Sequence, residues 1–147
     1  MKDAIEGSLQ RIADEVGDLD QYVADSLAMD PETLRENFSA EQVDVLALAI
    51  RNAEAGKGFI IGDQTGIGKG RVVAAMIRYA LINDKTPVFV TEKPNHYSDM
   101  IRDLDDFGMT DDLGLDTENP RIFITNSDET IPTPCCARKG TRWSRTT

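Results

Sequence analysis

The sequence predicts an α/β fold: a parallel sheet with crossover helices, preceded by N-terminal helices. Three features carry that expectation. Short apolar, β-branched runs at "GFIIG", "PVFVTE" and "RIFITN" alternate with the amphipathic segments "RVVAAMIRYALI" and "HYSDMIRDLDDF". Strands separated by helices of about a dozen residues build βαβ units, in which the strands run parallel and the crossovers are right-handed. A glycine-rich turn, "GDQTGIGKGR", joins the first apolar run to the first of these helices.

The segment ahead of that pattern is helical and acid-rich. Ile5, Leu9, Ile12 and Val16, then Leu19, Val23 and Leu27, recur at helical spacing, with Gly17 as the break between two helices. Pro31 after Asp30 opens a further short helix through Phe38, because the first helical position needs no backbone donor. Ser39 and Gln42 then make an S-x-x-Q capping box ahead of the apolar run in "FSAEQVDVLALAIRNAEAGKG", so a helix begins there and ends at the glycines. The expected organisation is an acidic helical segment over residues 1–38, an α/β domain over 39–130 and a disordered basic tail over 131–147. In the tail, "IPTPCCARKGTRWSRTT", no acid and no apolar periodicity occur, and four basic residues appear.

Composition narrows the function. The chain of 147 residues is the size of one domain with its own core. Its 26 acidic residues exceed the 16 Lys and Arg, giving a net charge of −10, so a protein that coats nucleic acid is disfavoured. No run approaches the ~18 apolar residues of a membrane helix. The acidic start "MKDAIEGSLQ" is unlike a signal peptide, so a cytoplasmic location with no membrane partner is expected. Cys135 and Cys136 are adjacent, which suits neither a disulfide framework nor a metal site. His96 has no evident catalytic or metal-binding partner, and Asp99, Asp103, Asp105 and Asp106 read as a solvated helix face. No metal ligands and no catalytic residues are assigned.

The glycine-rich turn is the chemical feature. Backbone N–H groups of such a turn and of the helix start that follows converge as an anion cradle, and a lysine adds a mobile positive charge for the outer phosphates. Gly66, Gly68 and Lys69 lie between an apolar run and a helix, the context in which the pattern means phosphate binding. The match to G-x-x-x-x-G-K-[ST] fails at both ends. Asp63 stands at the first glycine, and Gly70 replaces the hydroxyl residue that would touch Mg²⁺. ATP or ADP is the expected ligand, with Mg²⁺ short of one inner ligand and Asp63 hydrogen-bonding within the loop.

The run "GDQTGIGKGR", preceded by "FSAEQVDVLALAI" and followed by "PVFVTEKPNHYSDMIRDL", resembles the first RecA-like lobe of superfamily 2 helicases, in particular the strawberry notch type. That group, which includes large phage and plasmid helicase-like proteins, is similar in carrying a G-D-x-x-G-x-G-K-G-R loop, so Gly70 and Arg71 fit its pattern. The resemblance covers roughly residues 39–126. It implies a partial RecA-like P-loop domain. Gln42 would match the glutamine that reads the adenine edge, a role that can coexist with closing the capping box. Lys69 would be the phosphate lysine, with Thr65, Gly66, Ile67, Gly68 and Gly70 as backbone donors and Arg71 completing the pattern. Thr91 and Lys93 would contact a nucleic-acid backbone.

The family's acidic metal-binding motif should follow "RIFITN", and "SDET" is a poor substitute. The arginines of a second lobe are likewise expected from the rest of a larger helicase-like protein. The resemblance therefore implies nucleotide binding without turnover by this chain alone, with nucleic acid a partner of a full-length relative. The alternative is a non-enzymatic interaction protein that binds a partner through its acidic helices, a reading that leaves Lys69 without a role.

Overall fold

A computed structural model describes residues 2–62, 68–91, 95–106, 108, 123–126 and 133–134. Two compact units divide the chain, Met1–Asp84 and Lys85–Thr147, so the 38/39 boundary expected from sequence falls within the first.

Among the described residues the first unit contains five helices: α1 Lys2–Val16, α2 Leu19–Ser26, α3 Pro31–Asn37, α4 Ala40–Glu54 and α5 Lys69–Ile82. Local chemistry sets their starts. Gly17 turns the chain at φ +88° between α1 and α2. The side chain of Asp18 accepts from the Gln21 N–H at 3.0 Å, and that of Asp30 accepts from Thr33 at 2.9 Å with Pro31 at the first helical position. At α4 the expected capping box is present. The Ser39 N–H donates to Gln42 Oε1 at 2.9 Å, and the Gln42 N–H donates to Ser39 Oγ at 3.4 Å.

Helix α4 is the centre of this unit, packing against α1, α2 and α5. Its buried stripe is Val43, Leu46, Ala47, Ala49 and Ile50, a helical period that places one face inward. Leu27, Leu34, Leu46 and Ile50 are fully buried, each stabilising the fold by about 1.5–3 kcal/mol. From α5, which packs against α4, the buried residues are Val72, Ala74, Ala75, Ile77, Tyr79 and Leu81.

Polar ties, most of them between residues distant in sequence, connect the helices. The Arg78 guanidinium donates to the carbonyls of Leu27 at 2.6 Å and Ala28 at 3.2 Å. These groups end α2, where Ala28 adopts a left-handed φ of +49°, so a cation meets the negative end of a helix. Tyr22 donates to Glu54 Oε2 at 2.9 Å, and Arg51 pairs with both Glu15 and Glu54.

One expected strand is not formed among the described residues. Phe59–Gly62 carries no strand and no ladder partner among the described residues, and Ile60 is 90% exposed. The reason is lateral: a strand exists through its neighbours, whereas an apolar run states only that a segment prefers burial.

In the second unit β1 (Val88–Thr91) is followed by α6 (Asn95–Asp105), β2 (Phe123–Asn126) and β3 (Thr133–Pro134). The sheet order is β1-β2-β3. β1 and β2 run parallel with Val88 opposite Phe123 and Thr91 opposite Asn126, a strand, helix and parallel strand in succession. β3 pairs antiparallel with β2, Thr133 facing Ile124, and its proline sits on an edge strand where a missing donor is tolerated. These two residues belong to the stretch expected to be a disordered tail; the rest of that tail lies outside the described residues. Met100 and Leu104 form the buried stripe of α6. Arg102 lies 3.3 Å from the exposed Asp99 and 3.5 Å from Asp103, whose side chain is largely buried, so two of the acids singled out from sequence have a cationic neighbour. Among the described residues no helix is long and apolar enough to cross a membrane.

Candidate phosphate-binding site

Helix α5 begins differently from the helices before it. Each of α2, α3 and α4 has a side-chain oxygen capping its N-terminus and an acid in its first turn: Asp18 and Asp20, Asp30 and Glu32, Ser39 and Glu41. The cap of α5 is Gly68, with no side-chain hydrogen bond and no acid in the first turn. Lys69 and Arg71 occupy that turn instead. Cations at the positive end of a helix are unfavourable by about 0.3–1 kcal/mol each in the absence of an anion, so this end is arranged to receive negative charge.

Gly68 adopts φ +70° and ψ +37°, the left-handed region in which glycine alone is unstrained. A Cβ built there would meet the side-chain amide of Gln42, which would have to swing aside to admit it. That amide donates from Nε2 to the Gly68 carbonyl at 3.3 Å, while its oxygen remains in the capping box with Ser39. The Gly68 carbonyl also accepts from the Arg71 N–H at 3.1 Å. Gln42 and the helix start are therefore brought together across 26 residues of chain.

Arg71 ties this helix start to a preceding helix. Its Nη1 donates to the Asn37 carbonyl at 2.8 Å, fastening the first turn of α5 to the last residue of α3. Sequence reasoning gave Asn37 no role. Its contribution is a backbone carbonyl, which no side-chain pattern announces.

Of the residues singled out from sequence, Gln42, Gly68, Lys69, Gly70 and Arg71 cluster at the N-terminal end of α5. Asp63, Thr65, Gly66 and Ile67 lie outside the described residues, as does Lys93. In the second unit, Thr91 Oγ1 and His96 Nδ1 are hydrogen-bonded at 2.8 Å, His96 being exposed at the start of α6. Among the described residues no group of three or more His, Cys, Asp or Glu gathers as a metal site.

This end of α5 suits an anionic oxygen ligand. First-turn N–H groups and the lysine supply positive charge, and no first-turn carboxylate competes for it. For Mg²⁺ the described residues are less complete, because Gly70 offers no hydroxyl.

A model of the P-loop containing NTP hydrolase pore-1 family matches residues 19–123, a span that runs from α2 to the first residue of β2 and contains the whole glycine-rich turn. No curated protein and no solved structure matches the chain.

Proposed function

The chain belongs to the P-loop containing NTP hydrolase pore-1 family, and from that membership we propose that its loop ending at Lys69 binds the phosphates of ATP or ADP. The observation that carries this reading is the N-terminus of α5, within the matched span, where Lys69 follows a glycine cap and no acid is present in the first turn. A helix start with a glycine cap, a lysine and no acid in its first turn suits a phosphate group. Mg²⁺ would be held through phosphate oxygens and water, in the manner of an ion that keeps several waters and takes few protein ligands.

The finer reading follows the motif. "GDQTGIGKGR" supports a strawberry notch-type, helicase-like ATPase, with a partial RecA-like lobe that works as part of a larger cytoplasmic protein. The parallel β1–β2 pair is the kind of sheet such a lobe uses. In this reading Thr91 and Lys93 meet a nucleic-acid backbone; the Thr91 hydroxyl, although bonded to His96, has both donor and acceptor capacity and can serve a phosphate as well. Within residues 1–147 the reading is confined to nucleotide binding, because phosphoryl transfer also needs a positioned water and further positive charge.

Calorimetric titration with ATP, ADP and adenosine tests it. Heat of binding is expected for the two phosphorylated ligands and none for adenosine. Adenosine binding as well as ATP, or no heat from ATP at millimolar concentration, would remove the phosphate loop from the account.

A further inference from the structure

We infer that Gln42 is a positioning residue for the phosphate loop, holding the peptide unit between Gly68 and Lys69 in the orientation that turns the Lys69 N–H out of the end of α5. The inference rests on the proposed phosphate-binding role of that end.

A trans peptide is planar, and its C=O and N–H point in opposite directions. The carbonyl of Gly68 and the N–H of Lys69 belong to one such plane. Gln42 Nε2 donates to that carbonyl at 3.3 Å and the Arg71 N–H donates to it at 3.1 Å, so its direction is set from two sides. With the carbonyl fixed, the planar peptide aims the Lys69 N–H the opposite way, out of the helix start.

The donor itself is braced. Gln42 Oε1 accepts from the Ser39 N–H at 2.9 Å, so the amide is held at one end by the start of α4 and grips Gly68 with the other. A long, half-buried glutamine held at only one end would lose part of this contact to side-chain entropy. Gly68 completes the arrangement, since its left-handed φ and missing Cβ let the amide approach. An amide engaged in this way still has one N–H and one lone pair to spare, enough to read a base as well. Positioning predicts that Gln42 is felt by the phosphates themselves, whether or not a base is attached.

The test compares Gln42→Glu, Gln42→Met and Ser39→Ala with the unsubstituted chain. Glutamate keeps an acceptor for the capping box and lacks the donor; methionine lacks both without adding charge; Ser39→Ala weakens the cap alone. Affinities for ATP and for inorganic tripolyphosphate are measured by calorimetry, and the backbone ¹⁵N and ¹H shifts of Lys69 and Gly70 are followed without ligand. Positioning predicts that both Gln42 variants bind ATP and tripolyphosphate more weakly by the same factor, about tenfold. It also predicts that both move the Lys69 amide resonance and that Ser39→Ala does neither. A loss confined to ATP would make Gln42 a base reader and overturn the inference. A loss in Gln42→Glu that Gln42→Met does not share would be charge repulsion, and would overturn it too, as would an unmoved Lys69 resonance. If the unsubstituted chain binds neither ligand, the proposed function fails, and the Lys69 resonance still decides whether Gln42 sets that peptide.

Discussion

Arg71 Nη1 donates to the carbonyl of Asn37 across 2.8 Å, so the first turn of α5 is anchored to the last residue of α3. Two effects oppose each other at this side chain. A hydrogen bond from a charged donor contributes about 1.5–3 kcal/mol, whereas a cation near a helix N-terminus costs about 0.3–1 kcal/mol. The bond wins. Arg71→Ala is expected to destabilise the chain by about 1 kcal/mol in urea denaturation, and a neutral or stabilising result would mean that the dipole term dominates.

Gly68 is expected to tolerate alanine worse than Gly56 does. Both have left-handed φ, +70° and +67°, but a Cβ on Gly56 meets nothing within 4 Å whereas one on Gly68 meets the Gln42 amide. Backbone strain alone costs about 1–2 kcal/mol. At Gly68 the flexible Gln42 must also swing aside and give up hydrogen bonds to Gly68 and Ser39, adding about 1 kcal/mol for each. Thermal melting of both alanine variants checks the order. In a Gln42→Ala background the Gly68→Ala cost should shrink to strain alone, a non-additivity of about 1–2 kcal/mol.

Alkaline pH should loosen the first unit through Tyr22. Burial and then its hydrogen bond to Glu54 push the Tyr22 hydroxyl well above its ordinary value of 10.0. Burial also raises Tyr79. A pKa raised on folding stabilises the folded state fully below the unfolded value and loses that contribution as pH climbs through the folded one. Stability should therefore be flat between about pH 8 and 9.5 and fall above pH 10, the window set by these two upward shifts. Tyr22→Phe should cost about 1 kcal/mol at neutral pH and flatten part of the alkaline slope, leaving the share that belongs to Tyr79. Urea midpoints measured from pH 8 to 11 on both proteins test the sign.

Leu46 and Ile60 separate the core from the run that only looks like core. Leu46 is fully buried in α4, and Ile60 is 90% exposed. Leu46→Ala should cost about 2–5 kcal/mol. Ile60→Ser should change stability by less than about 0.5 kcal/mol. A large loss from Ile60→Ser, measured by denaturant unfolding, would show that Phe59–Gly62 packs as a strand in this chain.

What could be read in advance was chemistry local to a few residues. The Ser39 and Gln42 capping box, Pro31 behind Asp30 and the break at Gly17 each depend on neighbours within four positions, and each stands where the sequence placed it. Tertiary ties were not legible. Arg78 reaches Leu27 and Ala28 across about fifty residues, and Arg71 reaches Asn37 across 34, in both cases to backbone carbonyls that have no signature. The same limit applies to "FIIG", whose apolarity could not say whether a lateral partner exists. At the candidate site, the residue types at the helix start were legible from the glycines and the lysine. The grip of Gln42 on Gly68 was not, because it needed the two segments in one place.

The central claim is that Lys69, at the start of a helix with no acid in its first turn, holds phosphate. Calorimetric titration of ATP into the unsubstituted chain and its Lys69→Ala variant, at matched salt and with melting curves for both, tests this most directly. A lysine-to-phosphate contact contributes about 1.5–3 kcal/mol, so Lys69→Ala should weaken ATP binding roughly 10- to 100-fold while leaving the melting temperature within a few degrees. Equal affinity for ATP in the two proteins would contradict the account and reduce the glycine-rich turn to a connection between segments.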